Sequence, residues 1–228
     1  MKAVVTGGNR GIGLEISKKL LDKKFEVHVL SRTELNPAHP EIISWRTDIS
    51  DFEQTHAVID QIGPIDVLIN NAGMMNTKTA SDYDGDDILQ ILNVNLISSV
   101  RLSVHLAEQM ASRGGGRIVT TGSIAGEIGH PDIWYGISKA GIMNAMRALA
   151  RTYGSRGVIA NSVAPGPVET EMMKAIPQDR RNRLKAATIS QRFCTAEEVA
   201  STVCWLATDA PAFINGEIID LNNGVNYR

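Results

Sequence analysis

Seven short runs of apolar and β-branched residues alternate with helical patterns along the chain, and this alternation constrains the fold more than any other feature. Strands that are apolar almost throughout are typical of parallel sheets, which are buried on both faces and connected by helices. The sequence therefore predicts an α/β fold: a doubly wound parallel sheet of about seven strands with helices on both faces. The predicted strands cover residues 3–5, 27–30, 42–45, 66–69, 117–121, 158–163 and 217–221.

The segments between these runs have the period of amphipathic helices. After the first strand, Ile12, Ile16 and Leu20 recur every four residues and place an apolar stripe on one helical face. The other predicted helices begin at Asp51, cover residues 86–110 and 133–153, and follow the N-cap Thr195. No linker, charge run or repeat divides the sequence, so residues 1–228 are predicted to form one domain.

The composition argues against several kinds of partner. Across 228 residues the net charge is -2, which gives no electrostatic reason to expect binding to nucleic acid or to an anionic membrane. The two cysteines and five histidines are scattered, so neither a metal site nor a disulfide framework is expected. The first apolar run is too short for a signal peptide, and no window is long enough to span a membrane. A cytoplasmic protein is expected.

A glycine-rich segment over residues 6–13 joins the first predicted strand to the first helix. Its spacing is Gly-x-x-x-Gly-x-Gly, with Asn9 and Arg10 inside the loop. Glycines let the backbone turn tightly and approach a pyrophosphate, which the free N–H groups of the following helix attract. A sharp strand-to-helix turn without a ligand is the alternative. The position directly after the first strand favours a dinucleotide site.

The residues after the second strand bear on which dinucleotide would bind. An acidic residue there would hydrogen-bond the ribose 2′-hydroxyl of NAD, but Ser31 and Arg32 come first and Glu34 is the first carboxylate. The guanidinium groups of Arg32 and Arg10 match a 2′-phosphate. Each arginine taken singly fits a solvated surface charge. Their joint placement predicts NADP(H) in preference to NAD(H).

Tyr135 and Lys139 are four residues apart in a predicted helix and therefore share one face. A phenol has an unperturbed pKa of about 10, and a nearby ammonium would lower it toward the range useful for general acid–base catalysis. Ser123, which follows the fifth predicted strand, is a candidate for orienting a substrate oxygen. Pairs of this kind also occur by chance on helix surfaces.

Taken in order, the motifs form a longer pattern. The chain carries Thr6-Gly7-x-x-x-Gly11-x-Gly13, Asp48, Asn70-Asn71-Ala72-Gly73, Asn95, Ser123, Tyr135-x-x-x-Lys139 and Pro165-Gly166. This set resembles the short-chain dehydrogenase/reductase family along essentially the whole chain, and it looks most like the 3-oxoacyl-carrier-protein reductase members. The resemblance implies a Rossmann-type fold and one dinucleotide-binding and catalytic domain. It also implies an NADP(H)-dependent oxidoreductase (a carbonyl reductase or alcohol dehydrogenase) that transfers a hydride reversibly between nicotinamide and a carbonyl or secondary alcohol.

The resemblance implies roles for single residues as well. Tyr135 would be the general acid or base, and Lys139 would lower its pKa and hold the nicotinamide ribose. Ser123 would bind the substrate oxygen, and Asn95 would support a water-linked proton relay behind Lys139. The cofactor-binding residues implied are Gly7, Asn9, Arg10, Gly11, Ile12, Gly13, Ser31, Arg32, Asp48, Ile49, Asn71, Ala72, Gly73, Tyr135, Lys139, Pro165, Gly166, Val168 and Thr170.

Substrate and assembly stay open. Residues 171–192 are expected to cover a small carbonyl or alcohol substrate as a lid, and their basic residues fit either an anionic partner or a solvated helix face. Residues 33–43 are expected to form a loop or a single turn. The helices around residues 96–110 and 140–153 resemble those that pair between subunits in the family, so a homo-oligomer, tetramer or dimer, is expected. A cofactor-binding regulatory protein without turnover and a redox-neutral enzyme on the same scaffold are the alternatives.

Overall fold

Seven strands form one sheet. They are β1 (Lys2–Thr6), β2 (Glu26–Ser31), β3 (Ile42–Arg46), β4 (Val67–Asn70), β5 (Gly116–Thr121), β6 (Val158–Pro165) and β7 (Ile218–Leu221). The computed structural model describes residues 1–34, 39–76, 78, 80–174 and 176–227. The strand order is β3-β2-β1-β4-β5-β6-β7, and every neighbouring pair is parallel. All seven predicted strands are confirmed, with ends that differ by at most two residues.

The direction of the sheet order reverses at the first strand. From β1 the chain moves outward to β2 and β3, and it then returns to β4 on the opposite side of β1. The connections after β1 and β4 therefore leave in opposite directions and open a crevice at the carboxyl ends of these strands. In open α/β sheets, this is where ligands bind.

Helices cover both faces of the sheet, as predicted. They are α1 (Gly11–Asp22), α2 (Phe52–Ile62), α3 (Gly85–Leu92), α4 (Ser98–Ser112), α5 (Ile133–Tyr153), α6 (Glu171–Lys174), α7 (Gln178–Ala186) and α8 (Ala196–Ala207). The described part of residues 33–43 contains turns and the start of β3 but no helix, and residues 35–38 lie outside the described residues.

Successive residues of β1 contribute to two separate cores. Val5 belongs to the core beneath α1 and α8, where Ile16 is fully buried. Val4 belongs to the core beneath α2, α4 and α5, together with Ile59 and Leu106. This division follows from the alternation of side chains along a strand, and it explains why successive residues at the centre of β1 are all apolar.

The helical stretch predicted over residues 86–110 is interrupted. A π turn over Asn93–Ile97 separates α3 from α4. It carries Asn95 inward, where the side chain is 2% exposed and bonds the backbone of Met74. Single π turns inside helices are frequent at functional sites.

The described residues contain neither a membrane-spanning helix nor a cluster of metal ligands. No helix there is both long and apolar enough to cross a membrane. In the same residues, no group of three or more His, Cys, Asp or Glu side chains is placed to hold a metal ion.

The N-cap predicted at Thr195 is confirmed and belongs to a capping box at the start of α8. The backbone N–H of Glu198 donates to the Thr195 hydroxyl at 3.1 Å, and the N–H of Thr195 donates to the Glu198 carboxylate at 2.8 Å. Arg192 donates to the same carboxylate at 2.6 Å, and this bond lowers the pKa of Glu198 to about 2. Because α8 packs against α1, the capping box supports one whole layer of the fold.

Replacing Thr195 with Ala removes the acceptor for one helix N–H and should lower the free energy of unfolding by about 1 kcal/mol. Thr195→Ser keeps the hydroxyl and is the matched control. Urea unfolding followed by circular dichroism measures both variants. Equal stability of Thr195→Ala and the wild-type chain would show that the capping box does not stabilise α8.

Candidate active site

A cleft of about 1070 Å³ lies at the carboxyl ends of the strands. Most residues predicted for the site line it, although they come from connections after six different strands. These are Gly7, Asn9, Arg10, Gly11, Ile12, Ser31, Arg32, Asp48, Ile49, Asn71, Ala72, Gly73, Ser123, Tyr135, Lys139, Pro165, Gly166, Val168 and Thr170. The remaining two, Gly13 and Asn95, are buried and support residues that line the cleft.

Hydrogen bonds join the ends of β1 and β4 at the base of the cleft. The backbone N–H groups of Asn71 and Ala72 donate to the Thr6 hydroxyl at 3.0 and 3.1 Å. The side-chain amide of Asn71 donates to the carbonyl oxygen of Gly7 at 3.2 Å. The loop after β1 is therefore tied directly to the loop after β4.

The glycines of the loop after β1 are required by its geometry. Gly7 and Gly11 have φ angles of +64° and +53°, which side chains rarely tolerate. A Cβ atom on Gly13 would overlap the carbonyl oxygen of Gly7. The following helix, α1, begins without a side-chain cap and has no acidic residue in its first turn. Its first N–H groups are thus left for an anion such as a phosphate.

The end of β2 forms a second wall of the cleft. Asn9 donates to the Thr33 hydroxyl at 2.8 Å and thereby holds the glycine loop against this wall. Arg10 and Arg32 line the cleft here, and within the described part of the chain neither forms an ion pair. Asp48 also lines the cleft, but its carboxylate already accepts two bonds from Ser50.

Tyr135 lies in the first turn of α5, whose start is fixed by Asp132. The Asp132 carboxylate accepts one hydrogen bond from the backbone N–H of Tyr135 at 3.0 Å and another from the Tyr83 hydroxyl at 2.7 Å. Burial raises the pKa of Tyr135, and this effect exceeds the lowering caused by its hydrogen bond with Ser123. The phenol is therefore protonated at neutral pH and available as a donor.

Lys139 lies one turn further along α5 and is 6% exposed. Its Nζ atom donates to the carbonyl oxygen of Thr121 at 2.9 Å and lies 5.8 Å from the centroid of the Tyr135 ring. Burial lowers the pKa of Lys139 to about 8. Burial dominates the environment of the phenol and raises the pKa of Tyr135, so the lowering expected from Lys139 stays a prediction.

Asn95 joins the connection after β4 to α5. Its side-chain oxygen accepts from the N–H of Met74 at 2.8 Å, and its side-chain nitrogen donates to the Met74 carbonyl at 2.8 Å and to the Ser138 hydroxyl at 3.1 Å. The structure thus places Asn95 beside the predicted catalytic residues, as a support for the cleft wall.

Several residues that line the cleft were not predicted. The ring of His130 lies 5.4 Å from the ring of Tyr135, and a single histidine in a loop carries no sequence signal. The segment expected as a lid contains α6 and α7, and Ala175 between them lies outside the described residues. Met173 and Ile176 of this segment are buried in a cluster with Phe193.

Sequence comparison assigns the class of protein. A family model described as "Enoyl-(Acyl carrier protein) reductase" matches residues 7–226. Together with the parallel sheet and the cleft, this match shows that the chain belongs to the short-chain dehydrogenase/reductase family and is an oxidoreductase of that family.

Individual relatives match over nearly the whole chain. The 3-oxoacyl-[acyl-carrier-protein] reductase FabG of Vibrio harveyi is 34% identical, with 98% of this chain and 96% of the relative covered. The acetoacetyl-CoA reductase of Cupriavidus necator is 31% identical, with 98% and 97% covered. A solved structure described as a short chain dehydrogenase/reductase family protein superposes with a TM-score of 0.90 at 27% identity, covering 98% of this chain and 96% of that one.

The buried Lys139 should make stability depend on pH. Between pH 8 and 10.5 the unfolded chain holds the lysine proton and the folded chain releases it, so the stability of the folded state rises with pH in this window. The variant Lys139→Met has no titratable group at this position. From pH 8 to 10.5 the free energy of unfolding of the wild-type chain should rise by about 3 kcal/mol relative to that of this variant. Urea unfolding at both pH values gives this difference. A constant difference would show that Lys139 keeps its ordinary pKa.

Proposed function

We propose that the chain is an NADP(H)-dependent oxidoreductase that transfers a hydride reversibly between nicotinamide and a carbonyl or secondary alcohol, with Tyr135 as the general acid or base. The observation that carries this proposal is that Ser123, Tyr135 and Lys139 line the same cleft as the glycine loop. NADPH, when bound, supplies the hydride. The protein has to bind it, orient the substrate and provide the proton.

The residues of the cleft fit a dinucleotide. The tight packing of Gly13 on Gly7 and the uncapped start of α1 suit a phosphate group. Arg10 and Arg32, which have no acidic partner among the described residues, suit the 2′-phosphate of NADP(H). Every cofactor-binding residue predicted from the sequence keeps its role in this proposal, with Gly13 acting through the loop that it supports.

The proton step follows from the environment of the phenol. In the reductive direction the carbonyl carbon accepts the hydride, and the carbonyl oxygen accepts the proton of the Tyr135 hydroxyl. The raised pKa of Tyr135 keeps this proton in place at neutral pH. Ser123 would bind the same substrate oxygen. Lys139, with a pKa of about 8, can both hold and release the proton that restores the phenol, and Asn95 would position the relay.

The relatives suggest which substrates to test first. Two of them are named for the reduction of 3-oxoacyl and acetoacetyl thioesters. Consumption of NADPH, with NADH beside it, should be measured against a panel of a 3-oxoacyl thioester and simple ketones. Turnover supports the proposal. Cofactor binding with no turnover across the panel would favour the regulatory or redox-neutral alternative.

We also propose that the chain is cytoplasmic and forms a homo-oligomer. Apolar side chains on α4 and α5 are exposed in the single chain, among them Val104 at 43%, Ile133 at 48% and Ile137 at 46%. A second copy that covered them would remove this surface from water. Light scattering of the purified chain tests for a dimer or tetramer, and a monomer at working concentration would contradict it.

Tyr135→Phe keeps the ring and removes the proton donor. Turnover should therefore fall by at least about a hundredfold, the usual effect of losing general acid catalysis. The dissociation constant of NADPH should stay within about twofold. Tyr153→Phe, at the far end of the same helix, is the matched control and should retain wild-type turnover. Near-wild-type turnover of Tyr135→Phe would exclude Tyr135 as the acid.

Arg32→Ala should weaken NADPH binding by about tenfold or more and leave NADH binding nearly unchanged, because only NADPH carries the 2′-phosphate. Fluorescence titration with each dinucleotide measures the two dissociation constants. Arg151→Ala, an exposed position on α5, controls for the loss of one positive charge from the chain. Equal weakening of both dinucleotides would show that Arg32 does not recognise the phosphate.

A further inference from the structure

The cleft carries more positive than negative side chains. Its cationic side chains are Arg10, Arg32, Lys139, Arg180 and Arg183. Its acidic side chains, within the described part of the molecule, are Asp48 and Glu171. The chain as a whole has a net charge of -2, so the positive surplus is local to the cleft. A cleft of one sign attracts ligands of the opposite sign.

The proposed function accounts for three of the five cations. Arg10 and Arg32 are assigned to the 2′-phosphate, and Lys139 to the proton relay. Arg180 and Arg183 remain without a role. They are three residues apart on α7 and therefore lie on the same side of the helix. Among the residues that the structure describes, neither has an acidic partner.

The other basic residues of α7 are already engaged. Arg181 donates to the Glu169 carboxylate at 3.2 Å, and its guanidinium carbon lies 5.8 Å from the centroid of the Phe193 ring. The Nζ atom of Lys185 lies at the same distance from that ring. The helix thus keeps two cations on an aromatic ring outside the cleft and presents two unpaired cations inside it.

His130 indicates which end of the cleft these cations occupy. Its ring lies 5.4 Å from the ring of Tyr135. Burial lowers the pKa of His130, a hydrogen bond with the backbone of Asp132 raises it, and the positive charge of Arg180 lowers it again, so this guanidinium lies within electrostatic reach of His130. Lys139, in contrast, lies beside Gly73, where a Cβ atom would be 3.5 Å from Nζ. Arg180 therefore lies within reach of His130, whereas Lys139 lies near Gly73.

The surface next to these arginines is apolar. Leu184 shares a face of α7 with Arg180, since the two are four residues apart. Met173 and Ile176 also line the cleft and are mostly buried. A ligand here would meet a short apolar wall with a pair of cations at its edge.

We propose that Arg180 and Arg183 bind an oxyanion carried by the substrate itself, so that the substrate is an oxo acid: a carbonyl compound with a carboxylate or phosphate joined to it by a short apolar spacer. This rests on the proposed function for the reaction at the carbonyl. The carbonyl lies at Tyr135, the spacer against Met173, Ile176 and Leu184, and the oxyanion at the two guanidinium groups. Arginine suits both carboxylate and phosphate because its planar donors can bind two oxygens at once.

The test compares acids with their neutral esters. NADPH-dependent reduction is measured for 3-, 4- and 5-oxo acids, for their methyl esters and for oxoalkyl phosphates. In the wild-type chain, kcat/KM for the best acid or phosphate should exceed that of the matching neutral compound by about tenfold or more, as expected for charge-assisted hydrogen bonds. The better of carboxylate and phosphate identifies the source of the oxyanion. Equal values for charged and neutral compounds would overturn the proposal.

Variants connect this preference to α7. Arg180→Gln and the double variant with Arg183→Gln should lose most of the acid-over-ester preference, mainly through KM. Arg181→Gln is the matched control on the same helix and should keep the preference. Fluorescence titration of NADPH is run on each variant. If Arg180→Gln weakens NADPH binding as much as it weakens the acid, the arginines serve the cofactor phosphates and the proposal fails.

A binding measurement separates this inference from the proposed reaction. Calorimetric titration with unreactive acids, butyrate and butyl phosphate, is made with and without NADP+. Binding that is lost in Arg180→Gln and kept in Arg181→Gln supports the oxyanion site even if no compound is reduced, in which case only the proposed reaction fails. Reduction of ketones without any such binding leaves the reductase in place and removes the oxyanion site.

Discussion

The hydrogen bonds between the ends of β1 and β4 hold in place the part of the molecule on which the site depends. Here the two connections diverge, so their backbone groups would otherwise face the cleft without partners. The Thr6 hydroxyl accepts from the N–H groups of Asn71 and Ala72, and the Asn71 amide donates to the carbonyl of Gly7. One threonine and one asparagine therefore fix the distance between the glycine loop and the opposite wall. Gly13 packs on that same carbonyl group, so α1 is held by the same junction.

The features that local sequence determines were predictable. The inner strands are buried on both faces and contain short apolar runs that are easily recognised, and all seven strands were found. The N-cap at Thr195 depends only on residues 195–198, which are adjacent in the sequence, and it was also predicted correctly. Residues as far apart as Arg10 and Thr170 were expected at one site because of the family resemblance, and both line the cleft. The topology explains this, because the carboxyl ends of parallel strands meet at one edge.

Features that depend on tertiary contacts were not predictable. The π turn at Asn93–Ile97 leaves the helical period almost unchanged, and it is explained only by the bonds from Asn95 to Met74 and Ser138. The spacing of Tyr135 and Lys139 correctly placed both at the cleft but could not show that burial raises the pKa of the phenol. Spacing shows that two groups are near each other, whereas the pKa also depends on burial, which is set by the whole fold.

Burial acts on the two groups in a way that bears on the substrate. It penalises charge, so it raises the pKa of Tyr135 and lowers that of Lys139, and both groups are shifted toward their neutral forms. An anionic substrate brought next to this phenol would raise its pKa again and would itself be poorly solvated. The two arginines of α7 line the same cleft and would offset both effects, since their positive charge would stabilise the bound anion. The anion would then be stabilised by the guanidinium groups, while the buried phenol stays protonated, and reduction would retain its acid.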